Sequence, residues 1–376
     1  MSSSLFSPFQ IAGLRLANRI AVSPMCMYSA VEGVAQSFHW AHIGQLALSG
    51  AGLVIMEATA VEPVGRISWQ CLGLWNDAQE EALARLVRDI RGYSDTPLGI
   101  QLAHAGRKGS CHAGWVRRGT QMPIAEGGWP VVAPSAVAWG PGWIVPDALD
   151  EEGLERVKQA FVQAVRRADR AGFDLVEIHG AHGYLLNAFF SPLANFRTDR
   201  YGGSLENRMR FSLEVVAAMR AALSPHKPLG IRINGDDWHE NGTGLDDAVV
   251  FARALRDAGA DYITPSAGNG APEVKFPPLV PGYMVHFAER IKREAGVATA
   301  AVGLIVTPEQ AEALIAENRA DLVMLARGVL DDFRWGQHAA AALGEVPQYP
   351  PQYAWAGPKG WKGYPIVHPE NIKEKP

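Results

Sequence analysis

Apolar positions along the chain fall into two alternating patterns. Short unbroken aliphatic runs follow helix-like stretches that end in Gly or a small polar residue. They occur at SGAGLVIMEA (49–58), AGFDLVEIHG (171–180), AGADYITPSAG (258–268) and NRADLVMLARG (318–328). Similar runs at 19–23, 98–103, 229–234 and 298–302 bring the total to eight. Gly suits the left-handed residue that ends a helix, and an unbroken aliphatic run suits a strand covered on both faces. Between the runs, apolar residues step by three and four. Leu154, Val157, Phe161, Val165 and Ala168 follow an N-capping Asp150, and Phe251, Leu255 and Ala258 repeat the pattern. Thr307-Pro308-Glu309 has the order of an N-cap, a Pro in the first turn and an acidic first turn. Eight strands alternating with helices predict a single (β/α)8 barrel over residues 1–376. A doubly wound open sheet is the alternative, but no G-x-G-x-x-G follows any of the runs.

Two stretches break the rhythm. Residues 106–146 carry Trp115, Trp129, Trp139 and Trp143 among many Gly and Pro residues. They form an excursion over the C-terminal end of the barrel, either a surface elaboration that packs its own tryptophans or a lid. Residues 347–376, rich in Pro, Gly, Tyr and Trp, are expected to form an irregular C-terminal arm that packs onto another subunit.

The composition is 48% hydrophobic and 20% charged, which suits a globular rather than a disordered chain. Lys+Arg of 35 against Asp+Glu of 39 gives a net charge of −4, so the basic excess of a nucleic-acid binder is missing. No apolar run approaches the ~18 residues of a membrane span. The start, MSSSLFSPFQ, lacks a basic segment followed by an apolar one. A cytoplasmic protein is the expectation. Cys26, Cys71 and Cys111 contain no C-x-x-C and give no disulfide framework, zinc ribbon or iron–sulfur site.

In a barrel of this kind the chemistry lies where the strands end. Strand one delivers Ser23, Pro24, Met25, Cys26 and Tyr28; strand two, Ala58 and Thr59; strand three, Gln101, His104, Arg107 and Lys108. Strand four delivers His179, His182 and Tyr184; strand five, Arg232 and Asn234; strand six, Ser266; strand seven, Gly303; strand eight, Ala326, Arg327 and Gly328. The segment H-G-A-H-G-Y (179–184) carries the most chemistry. Two imidazoles can donate to one oxygen, and a nearby phenol can give up a proton. The same His-x-x-His could chelate a metal with ligands from other strands, or be two structural histidines. Arg232 and Arg327 at strand ends suit an anionic group, with Gly303 allowing close backbone approach, although a structural ion pair explains either cation. Cys26 reads as pocket wall rather than nucleophile.

Together, S-P-M-C-M-Y (23–28), Q-L-A-H-A-G-R-K (101–108), E-I-H-G-A-H-G-Y-L (177–185), the block 195–211, A-V-G-L-I (301–305) and L-A-R-G (325–328) resemble the Old Yellow Enzyme family of ene-reductases. The resemblance runs from Leu5 to about Trp361, closest to the thermophilic-like subgroup that includes xenobiotic reductases. The longer dienoyl-CoA reductases, with their iron–sulfur segment, are set aside because the matching cysteines are missing and the chain is shorter. The resemblance implies an FMN-dependent reductase of activated alkenes, with NADPH or NADH as co-substrate and a homodimer or homotetramer as the assembly. By it, Ser23, Pro24, Met25, Cys26, Ala58, Gln101 and Arg232 surround the flavin ring, and Gly303, Ala326 and Arg327 hold the phosphate. His179 and His182 bind the substrate oxygen, and Tyr184 donates the proton. Cys26, Tyr28 and Lys108 line the substrate side. Trp355, or alternatively Trp361, reaches a neighbouring subunit's pocket where other relatives use Arg. Ala326 departs from the Gly of many relatives. The competing functions are amine dehydrogenation or NADPH oxidation on the same barrel, a metal-dependent hydrolase using His179 and His182, and a flavin-binding protein without turnover.

Overall fold

In the computed structural model, which describes residues 3–117 and 119–367, eight parallel strands close a barrel in chain order. They are β1 (Ile20–Val22), β2 (Leu53–Ala60), β3 (Leu98–Ala103), β4 (Leu175–Gly180), β5 (Leu229–Asp236), β6 (Tyr262–Ala267), β7 (Ala298–Ala301) and β8 (Leu322–Leu325). The predicted (β/α)8 architecture is therefore the observed one. A two-stranded ribbon, Phe9–Ile11 with Leu14–Leu16, precedes β1.

Helices α1 (Ser37–Ala47), α2 (Asp77–Arg91), α3 (Glu151–Arg170), α4 (Leu185–Phe190), α5 (Leu205–Ala222), α6 (Leu245–Asp257), α7 (Val285–Ala295) and α8 (Pro308–Ala316) lie between the strands. After β8 come α9 (Arg327–Asp331) and α10 (Trp335–Ala342). The caps are the expected ones: Asp150 accepts from Gly153 N at the start of α3, and Thr307 from Gln310 N at the start of α8. Helix α3 buries Leu154, Val157, Phe161, Val165 and Ala168 on one stripe. Burying Phe161 contributes about 2–3 kcal/mol, and Phe161→Ala would cost about 3–5 kcal/mol by leaving a cavity.

Three boundaries differ from expectation. Strand β2 runs on to Ala60 past a register shift between Met56 and Ala58, so Ala58 and Thr59 lie within the strand. Strand β5 continues to Asp236, and β7 stops at Ala301, two residues short of Gly303. The ladder sets the layer that builds the site. Gln101 pairs with Glu177, His179 with Arg232, Thr264 with Arg232, and Ser266 with Asn234. Residues two apart share a face of a strand, so Glu177 and His179 point the same way, as do Arg232 and Asn234.

The excursion is bolted at its base. Trp129 is buried, donates through Nε1 to the Val64 carbonyl at 3.1 Å and meets Trp69 edge to face. The buried Arg66 guanidinium lies over the rings of Trp69, Trp75 and Trp129, at 4.6, 5.5 and 5.1 Å. The arm begins as expected as irregular chain and continues in a short 3-10 helix, Pro351–Ala356, with Arg334 over Tyr349 and Tyr353. The part of the expected arm beyond residue 367 lies outside the described residues. No helix among the described residues is long and apolar enough to cross a membrane.

Candidate active site

Two cavities open at the C-terminal ends of the strands. One, of about 270 Å³, is lined by Ser23, Arg232, Gly303, Ala326, Arg327 and Gly328 together with Tyr283 and Met284. The other, of about 550 Å³, is lined by Tyr28, Lys108, His182 and Tyr184, with Cys111 and Trp143 among the excursion's contributions. Sequence residues that the resemblance assigns to phosphate and to substrate thus separate into two adjacent spaces.

The first cavity is cationic and close to backbone. Gly303 has φ of +108°, and a Cβ there would come within 2.9 Å of Met284 Cβ, so only glycine keeps this wall open. Ala326 holds φ of −117°, a conformation that needs no glycine, which accommodates the departure from relatives' Gly. Arg232 donates to Ser23 Oγ at 3.2 Å and to Ser266 Oγ at 3.3 Å, while its buried Nε has no protein acceptor. Behind it, Glu177 is fully buried and accepts from Gln101 Nε2, Tyr262 Oη and Thr264 Oγ1. Burial raises the Glu177 pKa, opposed by the Arg232 charge and these donors. Gln101 is thus oriented inside the barrel but lines neither cavity.

The second cavity is lined by one of the two histidines, His182; His179 lines neither cavity but packs against the His182 ring. His179 is buried at the end of β4, and His182 follows in a turn with φ of +60°, next to Gly183 at +76°. Asn234 Oδ1 accepts from the His182 backbone N–H at 3.0 Å, while its Nδ2 donates to Asp237 and to the Gly268 carbonyl. A Cβ on Gly183 would strike the Asn269 carbonyl at 2.4 Å, so the tight turn needs glycine. Lys108 closes it from above, donating to the carbonyls of His182 (2.7 Å) and Asn269 (2.9 Å) and lying over the rings of Trp139 and Tyr184. Desolvation, opposed by Cys111 and assisted by Arg107, lowers the Lys108 pKa to about 7.

The rings themselves are close. His179 Nε2 and His182 Nδ1 are 3.4 Å apart, and the Tyr184 ring meets the His179 ring edge to face at 4.8 Å between centroids. Burial, then the Arg232 charge, pushes both imidazoles well below the ordinary histidine pKa, so they are neutral donors. Burial pushes the Tyr184 phenol well above its ordinary value, so it keeps its proton.

Ser23, Pro24, Met25, Cys26 and Tyr28 leave β1 as a loop pinned by Met27 N, which donates to the buried Glu57, itself beside His39. Ala58 packs with Cys71, Cys111, Ile67, Ala103 and Ala105, and Cys26, Tyr28, Trp143 and Tyr184 pack against them. All three cysteines therefore share one apolar wall, which their distant positions in sequence did not reveal. Burial raises all three thiols, Cys71 to about 11 and Cys111 to about 12, so they stay protonated. Trp355 is 81% exposed and Trp361 46% exposed, and neither lines either of these two cavities. Glu177, Asn234 and Ser266 received no role from sequence alone; the strand register was the missing signal. Among the described residues no group of three or more His, Cys, Asp or Glu side chains is placed to hold a metal ion.

The unpaired Nε of Arg232 and the glycine-walled cationic cavity fit the ring edge and phosphate of a flavin mononucleotide.

Comparison with known proteins agrees. The model of the NADH:flavin oxidoreductase / NADH oxidase family matches residues 4–345. NADPH dehydrogenase of Geobacillus sp. (strain WCH70) is 41% identical over 365 residues, covering 96% of this chain and 100% of that one. NADPH dehydrogenase of Listeria innocua serovar 6a is 41% identical over 362 residues, with 96% and 100% covered. Among solved structures, morphinone reductase superposes with a TM-score of 0.76 at 28% identity, covering 94% of this chain and 93% of that one. A 2-naphthoyl-CoA reductase complex shares the fold, with a TM-score of 0.81 at 24% identity, and this chain spans 52% of its length. The chain belongs to the NADH:flavin oxidoreductase / NADH oxidase family, the Old Yellow Enzyme family that its motifs resemble, and is an FMN-dependent NADPH oxidoreductase.

Proposed function

We propose that this oxidoreductase reduces the activated carbon–carbon double bond of α,β-unsaturated carbonyl or nitro compounds. The observation that carries the proposal is the histidine pair, two neutral ring nitrogens 3.4 Å apart beside a protonated Tyr184. FMN, when bound, supplies the hydride acceptor and donor between reduced nicotinamide and the alkene. Ser23, Arg232, Gly303 and Arg327 would hold it, and Arg232 would supply positive charge to the site.

His179 and His182 donate to the substrate's carbonyl or nitro oxygen. These bonds strengthen as enolate charge grows there, so they favour the transition state over the ground state. Neutral imidazoles serve best, because an imidazolium beside Arg232 would be expelled electrostatically. Tyr184 holds a proton for the α-carbon. Its raised pKa is no obstacle for an enone, since the α-carbon of a ketone enolate is a far stronger base than a phenolate. Tyr28, Cys26 and Trp143 exclude water and shape the space. In an oligomer, the exposed Trp355 of one subunit supplies an aromatic wall to the pocket of the next.

The test is isotopic. Reduction of 2-cyclohexenone with deuterated NADPH should place deuterium on the β-carbon, and reaction in heavy water should label the α-carbon. In Tyr184→Phe the α-labelling step should slow while flavin reduction by NADPH keeps its rate. An unchanged rate in Tyr184→Phe would assign the proton to another donor, and no enone turnover at all would end the reading.

A further inference from the structure

We infer that Ser266 is a positioning residue that holds the His182 ring in the tautomer protonated on Nδ1, so that both imidazoles turn an N–H toward one oxygen. The inference rests on the ene-reductase reading above. The Ala181 backbone N–H donates to His179 Nδ1 at 3.3 Å, which leaves the His179 proton on Nε2. That Nε2 faces His182 Nδ1. On the far side of its ring, His182 Nε2 lies 2.7 Å from Ser266 Oγ. Arg232 Nη2 donates to the same oxygen at 3.3 Å. A guanidinium can only donate, so it occupies one of the two accepting positions of Ser266, and among the described residues the one acceptor in reach of the hydroxyl proton is His182 Nε2. Ser266 gives it to His182 Nε2, and the ring's own proton resides on Nδ1.

The opposite tautomer has a definite consequence. His182 Nδ1 would then accept from His179 Nε2–H, and the pair would close on itself with no N–H left for a ligand oxygen. Ser266 is 2% exposed at the end of β6 and lines neither cavity, so it acts through His182 rather than by touching substrate.

Nitrogen NMR of the ¹⁵N-histidine-labelled holoenzyme tests this without turnover. His182 is assigned by the loss of its signals in His182→Asn. The wild-type ring should show a protonated Nδ1 and a bare Nε2; a protonated Nε2 overturns the inference. Ser266→Ala should mix or invert the tautomers and weaken phenol binding, measured per bound FMN, roughly tenfold, while Ser266→Thr restores both. A Ser266→Ala ring that keeps the wild-type tautomer and phenol affinity also overturns it. The wild-type spectrum decides even if Ser266→Ala fails to fold. Enone inertness with the Nδ1–H tautomer in place would count against the proposed reaction and for the tautomer assignment.

Discussion

The two cavities at the barrel mouth are built by opposite means. The smaller one is made of strand ends, backbone and two arginines, with its shape fixed by Gly303 and by Arg232 between two serines. The larger one is made of loops from β1, β2, β3, β4 and β6 plus the excursion, tied by Lys108 to two carbonyls and walled by Trp143. The first has little freedom to vary without losing a cofactor. On the proposed function, the second can change its lining while its hydrogen bonds stay in place, as would befit the part of a site that selects substrates.

The sharpest way to break the contrast is to damage the cofactor side. Arg232→Met leaves Glu177 buried without the positive charge that opposes its raised pKa and removes the unpaired donor. We expect loss of bound FMN on gel filtration and a folding free energy lower by about 3 kcal/mol in urea. Next comes the oxygen-gripping pair. His179→Ala should retain FMN yet slow reoxidation by an enone roughly a hundredfold, and should abolish the absorbance change produced by a phenol.

A subtler effect concerns Lys108. Its pKa is lowered from 10.5 to about 7, so between those values the unfolded chain holds a proton that the folded chain lacks. Lys108 therefore contributes stability that rises with pH across this window. Below pH 7 both states are protonated, and the cost of burying the charge is fully present. Between pH 7 and pH 9 the groups facing the amine, Arg107, Cys111, His179, His182 and Tyr184, keep their charge states. Lys108→Met should flatten the rise of Tm between pH 7 and pH 9; an unchanged slope would place the titration elsewhere. The smallest effect is expected on the wall. Trp143→Ala should alter the relative KM of bulky and small enones by only a few fold, with FMN content and reoxidation by cyclohexenone nearly unchanged.

The barrel was legible because aliphatic runs and capped helices alternate outside residues 106–146 and 347–376, and Asp150 and Thr307 start their helices as their chemistry dictates. His179, His182, Tyr184 and Gly303 were legible too, because each sits at or just past a strand end, whereas Arg232 lies in the middle of β5. What stayed hidden depends on register and long-range closure. Nothing local to Ser266 says that it faces His182, and nothing in Lys108 says that its amine spans the turns at His182 and Asn269. The three cysteines, 45 and 40 residues apart in sequence, meet only because β1, β2 and the excursion converge. The excursion was left open between decoration and lid. Its base is anchored by Trp129 while Trp143 forms cavity wall, so it contributes both structure and lining.

The most direct measurement is stopped-flow reoxidation of the NADPH-reduced holoenzyme by 2-cyclohexenone, in wild type and in His179→Ala. The account predicts rapid, enone-dependent return of the oxidised flavin spectrum in the wild type and a roughly hundredfold slower return in the variant. Equal rates in the two proteins would contradict it.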